Sequence, residues 1–293
     1  MAESETSQGP VPASAVPARP ASELGLRIAS SLVLAAVALF ATWAGGWLFA
    51  ALWLAAGAAV LFEWIGITGA EPRTTLQAVL IGLLAACAVT ALSVGAPLMP
   101  AALFAAALVA AAALGRGGRD RLWAASGFAY AAVIAIVPPL VREHPRLGLA
   151  AVLWMFAVVW LTDIAAYFAG RRFGGPKLWP AVSPKKTWSG FLGGLAAAVA
   201  AGAAVVLVAR RFGWEVPVPL GAVILLSAVA SVLSQLGDLG ESALKRRFGA
   251  KDSGHLIPGH GGVMDRLDGF FAVAALMALV LAGLHLRQGW AAG

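Results

Sequence analysis

WMFAVVWLTDIAAYFAG, residues 154–170, carries one charged side chain, Asp163. With the residues before it, the apolar run covers 148–169, and about 20 mostly apolar residues suffice to cross the hydrocarbon core of a bilayer. The whole chain reads alike: of 293 residues, 60% are hydrophobic and 12% charged, with mean hydropathy +0.85. Soluble domains carry about 25% charged residues. Half that share argues against a water-soluble core, and the long charge-free runs predict an all-α, polytopic integral membrane protein.

Outward from this run, hydropathy predicts nine spans: 25–43, 46–66, 75–94, 98–115, 122–141, 148–169, 190–209, 218–238 and 269–286. Pro97 and Pro100 in GAPLMP separate the third from the fourth. Residues 1–22, rich in Pro, Ser and Ala and lacking an apolar block, read as a disordered tail rather than a signal peptide. The remainder divides into an N-terminal transmembrane bundle, 23–146, and a C-terminal region, 147–293, with polar loops 170–189 and 239–268. Cys87 stands alone in an apolar run, so there is no disulfide framework and no Cys-based metal site.

Basic residues orient the chain. With the N-terminus in the cytoplasm, nine spans place 16 of the 21 Lys and Arg on the cytoplasmic side, both polar loops included. The pI of about 10.3 therefore needs no nucleic acid: cytoplasmic Lys and Arg beside anionic lipid account for it.

Three carboxylates fall in or beside spans. Asp163 lies well inside one, and Asp238 ends LLSAVASVLSQLGD. A carboxylate at membrane depth costs about 2.5–3.5 kcal/mol on insertion scales, so it faces a partner or a wet cavity. Glu63, near the end of the second span, reads as an ordinary interfacial residue with no role in a site. Beyond Asp238, residues Glu241, Ser242 and Lys245 follow at i+3, i+4 and i+7, one face of a helix if the eighth span continues past the membrane. Carboxylate, hydroxyl and ammonium on one face suit a metal–phosphate site, and a solvated helix end would carry the same spacing.

PGHGGVMDRLDG, residues 258–269, follows. Gly259, Gly261 and Gly262 allow close backbone approach to a ligand. A helix starting near Val263 would aim its N–H groups at an anion there, with Asp265 and Asp268 at i, i+3. In the other loop, Ser183-Pro184 predicts a helix start, which puts Lys185 and Lys186 in a first turn. Cations are disfavoured there unless an anion binds nearby. A lipid headgroup is the rival anion.

These residues carry a resemblance. SALKRRFGAKDSGHLIPGHGGVMDRLD, residues 242–268, resembles the signature of the phosphatidate cytidylyltransferases (CDP-diacylglycerol synthases): S-x-x-K-R, four residues, K-D, a spacer, then H-G-G-x-x-D-R-x-D. Q-x-G-D-L-x-E-S at 235–242 and S-P-K-K-T at 183–187 are similar too, as is the multi-span layout with its signature near the C-terminus. Ser189 departs from the pattern, which has Glu there, and is left out of the site.

The resemblance implies a transferase acting in phospholipid biosynthesis at a bacterial-type inner membrane, its site facing the cytoplasm. CTP and phosphatidic acid would give CDP-diacylglycerol and pyrophosphate. It implies Mg²⁺, alone or with a second cation, on Asp238 and Asp265. Catalysis would also use Lys186, Ser242 and Lys245. Lys185, Arg246, Lys251, His260, Gly261, Gly262, Arg266 and Asp268 would bind substrate. It implies a homodimer as well. The nucleophile, a lipid phosphate oxygen, is already anionic, so the chemistry needs positioning and charge neutralisation more than a strong base. Two alternatives stay open: another membrane lipid enzyme using a CDP-linked or polyprenyl phosphate substrate, and an ion-coupled transporter with Asp163 and Asp238 as relay sites. Against the transporter, no internal repeat stands out.

Overall fold

The structure, a computed structural model, describes residues 21–93, 98–257 and 261–291. The predicted tail lies outside these residues except for Ala21 and Ser22, and so does Pro97. In chain order the helices are α1 (Ala21–Ala44), α2 (Gly46–Thr68), α3 (Arg73–Ser93), α4 (Leu98–Leu114), α5 (Gly118–Arg142), α6 (Gly148–Phe173), α7 (Trp188–Arg211), α8 (Leu220–Arg247) and α9 (Met264–Ala291). Between α6 and α7 lies an antiparallel hairpin of β1 (Lys177–Trp179) and β2 (Ser183–Thr187). Seven helices, α2, α3 and α5–α9, are long and apolar enough to cross a membrane. The apolar parts of α1 and α4 are shorter, Ala29–Ala44 and Met99–Leu114. The chain is thus a helical polytopic membrane protein. Pro100 does not end a helix; it sits in the first turn of α4, where its missing N–H costs nothing.

Small residues set the helix spacing, as packing in lipid demands, where apolar burial gives no drive. Gly190, Gly194, Ala198 and Gly202 recur every fourth residue on the buried face of α7. A Cβ on Gly194 would come within 2.8 Å of the Thr162 carbonyl oxygen, so α7 lies almost backbone to backbone on α6. Buried polar side chains bond α6 to α8: Trp154 Nε1 donates to Ser227 Oγ at 2.9 Å, and Thr162 Oγ1 to Ser231 Oγ at 3.0 Å. Such bonds are worth about 0.6 kcal/mol each in a bilayer. The core does not respect a boundary at 146/147: Trp53 of α2 stacks on Phe270 of α9 at 4.7 Å, and Tyr130 of α5 on Phe271 at 3.8 Å.

Contacts between helix ends sort the loops into two groups. At one end, Arg142 donates to the Thr42 carbonyl at 2.8 Å, and Arg146 pairs with Glu215. At the opposite end, Glu63 of α2 meets Ser253 and the start of α9, and Asp238 of α8 meets the β-hairpin. The site lies at this second end.

Candidate active site

Two helices extend beyond their apolar spans and build the site. α8 continues past 238 to Arg247, the continuation that the shared face requires, and α9 begins at Met264, beside the expected start near Val263. Asp238, Glu241, Ser242 and Lys245 therefore do share one helical face, and Asp265 and Asp268 open the facing helix. Gly237 makes the crossing close: a Cβ there would meet the Asp268 carbonyl oxygen at 2.6 Å. The helices enclose a cavity of about 320 Å³, lined by Asp163, Asp238, Glu241, Lys245, Asp252, Asp265, Arg266 and Asp268.

The hairpin supplies Lys186, by a route the sequence did not indicate. Ser183-Pro184 does not start a helix. Residues 183–187 form β2, and α7 starts at Trp188 with Thr187 as its cap, its Oγ1 accepting the Gly190 N–H at 3.1 Å. The β-branched cap and the following Ser-Gly settle the start there. Ser189, where the signature has Glu, fastens the turn instead: its hydroxyl donates to the Gly174 carbonyl at 2.5 Å. Strand alternation then separates the two lysines. Lys185 is exposed, whereas Lys186 turns inward and its Nζ lies 2.5 Å from Asp238 Oδ2.

Lys245 is the second inward cation. Its Nζ lies 2.8 Å from Glu241 Oε2 and 2.5 Å from Asp265 Oδ1. The other Asp265 oxygen accepts the backbone N–H groups of Ser253 and Gly262, both at 2.9 Å. Asp265, expected to share an ion with Asp238, is thus committed to a lysine and two amides. The carboxylates grouped with Asp238 are Glu241 and Asp268, with one oxygen from each lying within 4.8 Å of the others. Among the remaining expected residues, Ser242 Oγ approaches Asp238 Oδ1 at 3.4 Å, and Arg266 lines the cavity. Gly261 takes the left-handed conformation, φ 81°. Arg246 and Lys251 are exposed and outside the cavity wall. His260 lies outside the described residues, as does Gly259.

The site can hold a cation. Like charges 4.8 Å apart repel by about 3.5 kcal/mol at an effective dielectric constant of roughly 20; Lys186 beside Asp238 and Lys245 beside Glu241 offset part of this, and a bound cation would offset more. One Glu241 oxygen, Oε1, is buried with no hydrogen-bond partner. Hard carboxylate oxygens with room for water suit Mg²⁺. A wall of six carboxylates would also repel phosphates unless cations entered with them.

Three carboxylates in this assembly had no expected role in the transfer. Asp163 reaches the cavity from α6, and Asp252 lines it from the residues after α8. Glu63, taken as interfacial, is 3% exposed and joins α2 to Ser253, Val263 and Met264. An acidic residue in so apolar a span was the available signal. Its partners, about 190–201 positions away, were not.

Fold and site together define a polytopic membrane protein with an acidic, lysine-bearing cavity at one end of its helices. The model of the cytidylyltransferase family matches residues 25–284, nearly all of the described chain. Phosphatidate cytidylyltransferase of Brucella suis biovar 1 (strain 1330) is 45% identical over 262 residues, covering 88% of this chain and 93% of its own length. The protein of the same name from Brucella abortus biovar 1 (strain 9-941) is 44% identical over the same span. That of Bacillus subtilis (strain 168) is 42% identical over 142 residues, about half of each chain. The chain belongs to the cytidylyltransferase family, the one its 242–268 segment resembles.

Proposed function

We propose that this chain is a phosphatidate cytidylyltransferase. A phosphate oxygen of phosphatidic acid attacks the α-phosphorus of CTP; the bond from that phosphorus to the bridging oxygen breaks, and CDP-diacylglycerol and pyrophosphate result. Identity of 44–45% with relatives of that name, across 88% of the chain, carries the reading. The cavity supports it by chemistry. Lys186 and Lys245 enter from different elements, so one can steady each phosphate group, and neither substrate needs a strong base to be activated. Asp238, Glu241 and Asp268 would hold Mg²⁺, which when bound neutralises phosphate charge as pyrophosphate leaves. Asp265 positions Lys245 and the loop rather than the ion.

All nine helices cross the membrane in this reading, with the N-terminus, the hairpin and the 239–268 segment on the cytoplasmic side of a bacterial inner membrane. The contacts at the two ends of the bundle fit that alternation, and the basic residues orient it. The protein works as a homodimer, following its resemblance. Purified protein in lipid nanodiscs, given labelled CTP and phosphatidic acid, should release pyrophosphate and label the lipid only with Mg²⁺ present. Labelled lipid formed equally well in chelator rejects the metal, and no labelled lipid at all rejects the reaction.

A further inference from the structure

Glu63 accepts three hydrogen bonds, as many donors as Asp265 meets, yet it does not line the cavity. Its Oε1 accepts the Val263 N–H at 2.9 Å; its Oε2 accepts the Met264 N–H at 2.9 Å and the Ser253 hydroxyl at 3.0 Å. Ser253 Oγ in turn accepts the Asp265 N–H at 3.3 Å, and the Ser253 N–H binds Asp265 Oδ2 at 2.9 Å. Asp265 then meets Lys245, and Lys245 meets Glu241. A continuous chain of contacts thus links a buried residue of α2 to the carboxylates of the cavity.

The glycines show that the loop is moulded on this carboxylate. A Cβ on Gly254 would lie 2.7 Å from Glu63 Oε1, and one on Gly262 would lie 2.6 Å and 2.7 Å from the two oxygens. The first N–H groups of a helix need acceptors from outside it and favour negative charge. At α9 that charge is supplied by Glu63. The anion expected here from the sequence is therefore the protein's own, and a substrate phosphate is directed to the lysines instead.

We propose that Glu63 is a positioning residue for the cytidylyl transfer, an inference that rests on the reaction proposed above: it fixes the start of α9, and through Ser253 and Asp265 it fixes Lys245 and Asp268. Its partners are all donors. Glu63→Gln keeps the shape but turns an –NH₂ towards N–H groups, so at least one bond fails. Displacement by 1 Å at reacting groups can cost about 100-fold in rate.

The test uses the full-length protein in nanodiscs, with rates normalised to folded, monodisperse material. Glu63→Gln should lower kcat by about 100-fold and leave the KM for CTP within about threefold, since binding charge in the cavity is untouched. Amide hydrogen exchange at Ser253 and at Gly262–Asp265 should quicken by at least about tenfold, with α3 amides unchanged. Ser253→Ala, which cuts one link only, should lower kcat by roughly tenfold and decides the matter if the Gln variant does not fold. A wild-type kcat per folded molecule, or unchanged exchange at those amides, overturns the positioning role. A folded wild type inert towards CTP and phosphatidic acid overturns the reaction itself, and the exchange measurement still judges Glu63.

Discussion

Asp238 and Asp268 come from different helices and group with Glu241, whereas Asp265, on the same cavity wall, is held by Lys245 and two backbone donors. This division predicts different failures. Asp238→Asn and Asp268→Asn should each lower turnover by roughly 100-fold, the loss of about 2.7 kcal/mol of transition-state stabilisation, and raise the Mg²⁺ concentration for half-maximal rate. Together they should cost little more than either alone, since groups acting as a unit are non-additive. Asp265→Asn removes one partner of a partly buried ion pair with Lys245, so it should lower stability as well as rate while leaving the Mg²⁺ requirement near wild type. Mg²⁺ titration of the three variants decides: a shift in Asp238→Asn and Asp265→Asn but not in Asp268→Asn would return the ion to the pair that the resemblance implies. The sequence brought out Asp238, Lys245, Asp265 and Asp268 because charges are rare here and their spacing is helical. It could not say which carboxylate faces which, because that depends on how α8 crosses α9. Glu63 was hidden for the same reason, its partners being contributed by the far end of the chain.

Among the elements, the helices of the described residues were largely legible, since a lipid-crossing helix must be apolar along most of its length, as seven of them are. Their polar extensions were less so. Hydropathy ends a helix where charge begins, but α8 continues through Asp238 to Arg247 because backbone bonding does not stop at the membrane surface. The β-hairpin was missed because Ser-Pro matches a helix start equally well, and only pairing of β2 with β1 distinguishes the two. The difference has a consequence. In a first helical turn, Lys185 and Lys186 would be near-equivalent; on a strand they point to opposite sides. Lys186→Ala should therefore cost at least about tenfold in turnover, and Lys186→Arg should recover only part of it, a planar fork being no replacement for a point charge. Lys185→Ala should cost far less. Equal losses at the two positions in folded protein would contradict the strand and favour the helix.

At the scale of the whole molecule, hydropathy showed a helical polytopic membrane protein but not which helices are neighbours. That α7 lies against α6, and that α2 and α5 reach α9 through Trp53, Tyr130 and Glu63, follows from side-chain fit and could not be read from hydropathy. The two-ended arrangement of loop contacts makes orientation testable with few probes. Lys177 in the hairpin and Lys251 after α8 are exposed near the site, while Glu215, paired with Arg146, is exposed at the other end. Cys87 is buried and is the chain's one cysteine, so Cys87→Ala gives a clean background. In that background, Glu215→Cys should react with a membrane-impermeant thiol reagent added to spheroplasts, whereas Lys177→Cys and Lys251→Cys should react only after the membrane is opened. Labelling of Lys177→Cys or Lys251→Cys in sealed spheroplasts would put the acidic cavity outside the cell. There it would have no CTP, so both the nine-span orientation and the proposed reaction would fall with that one result.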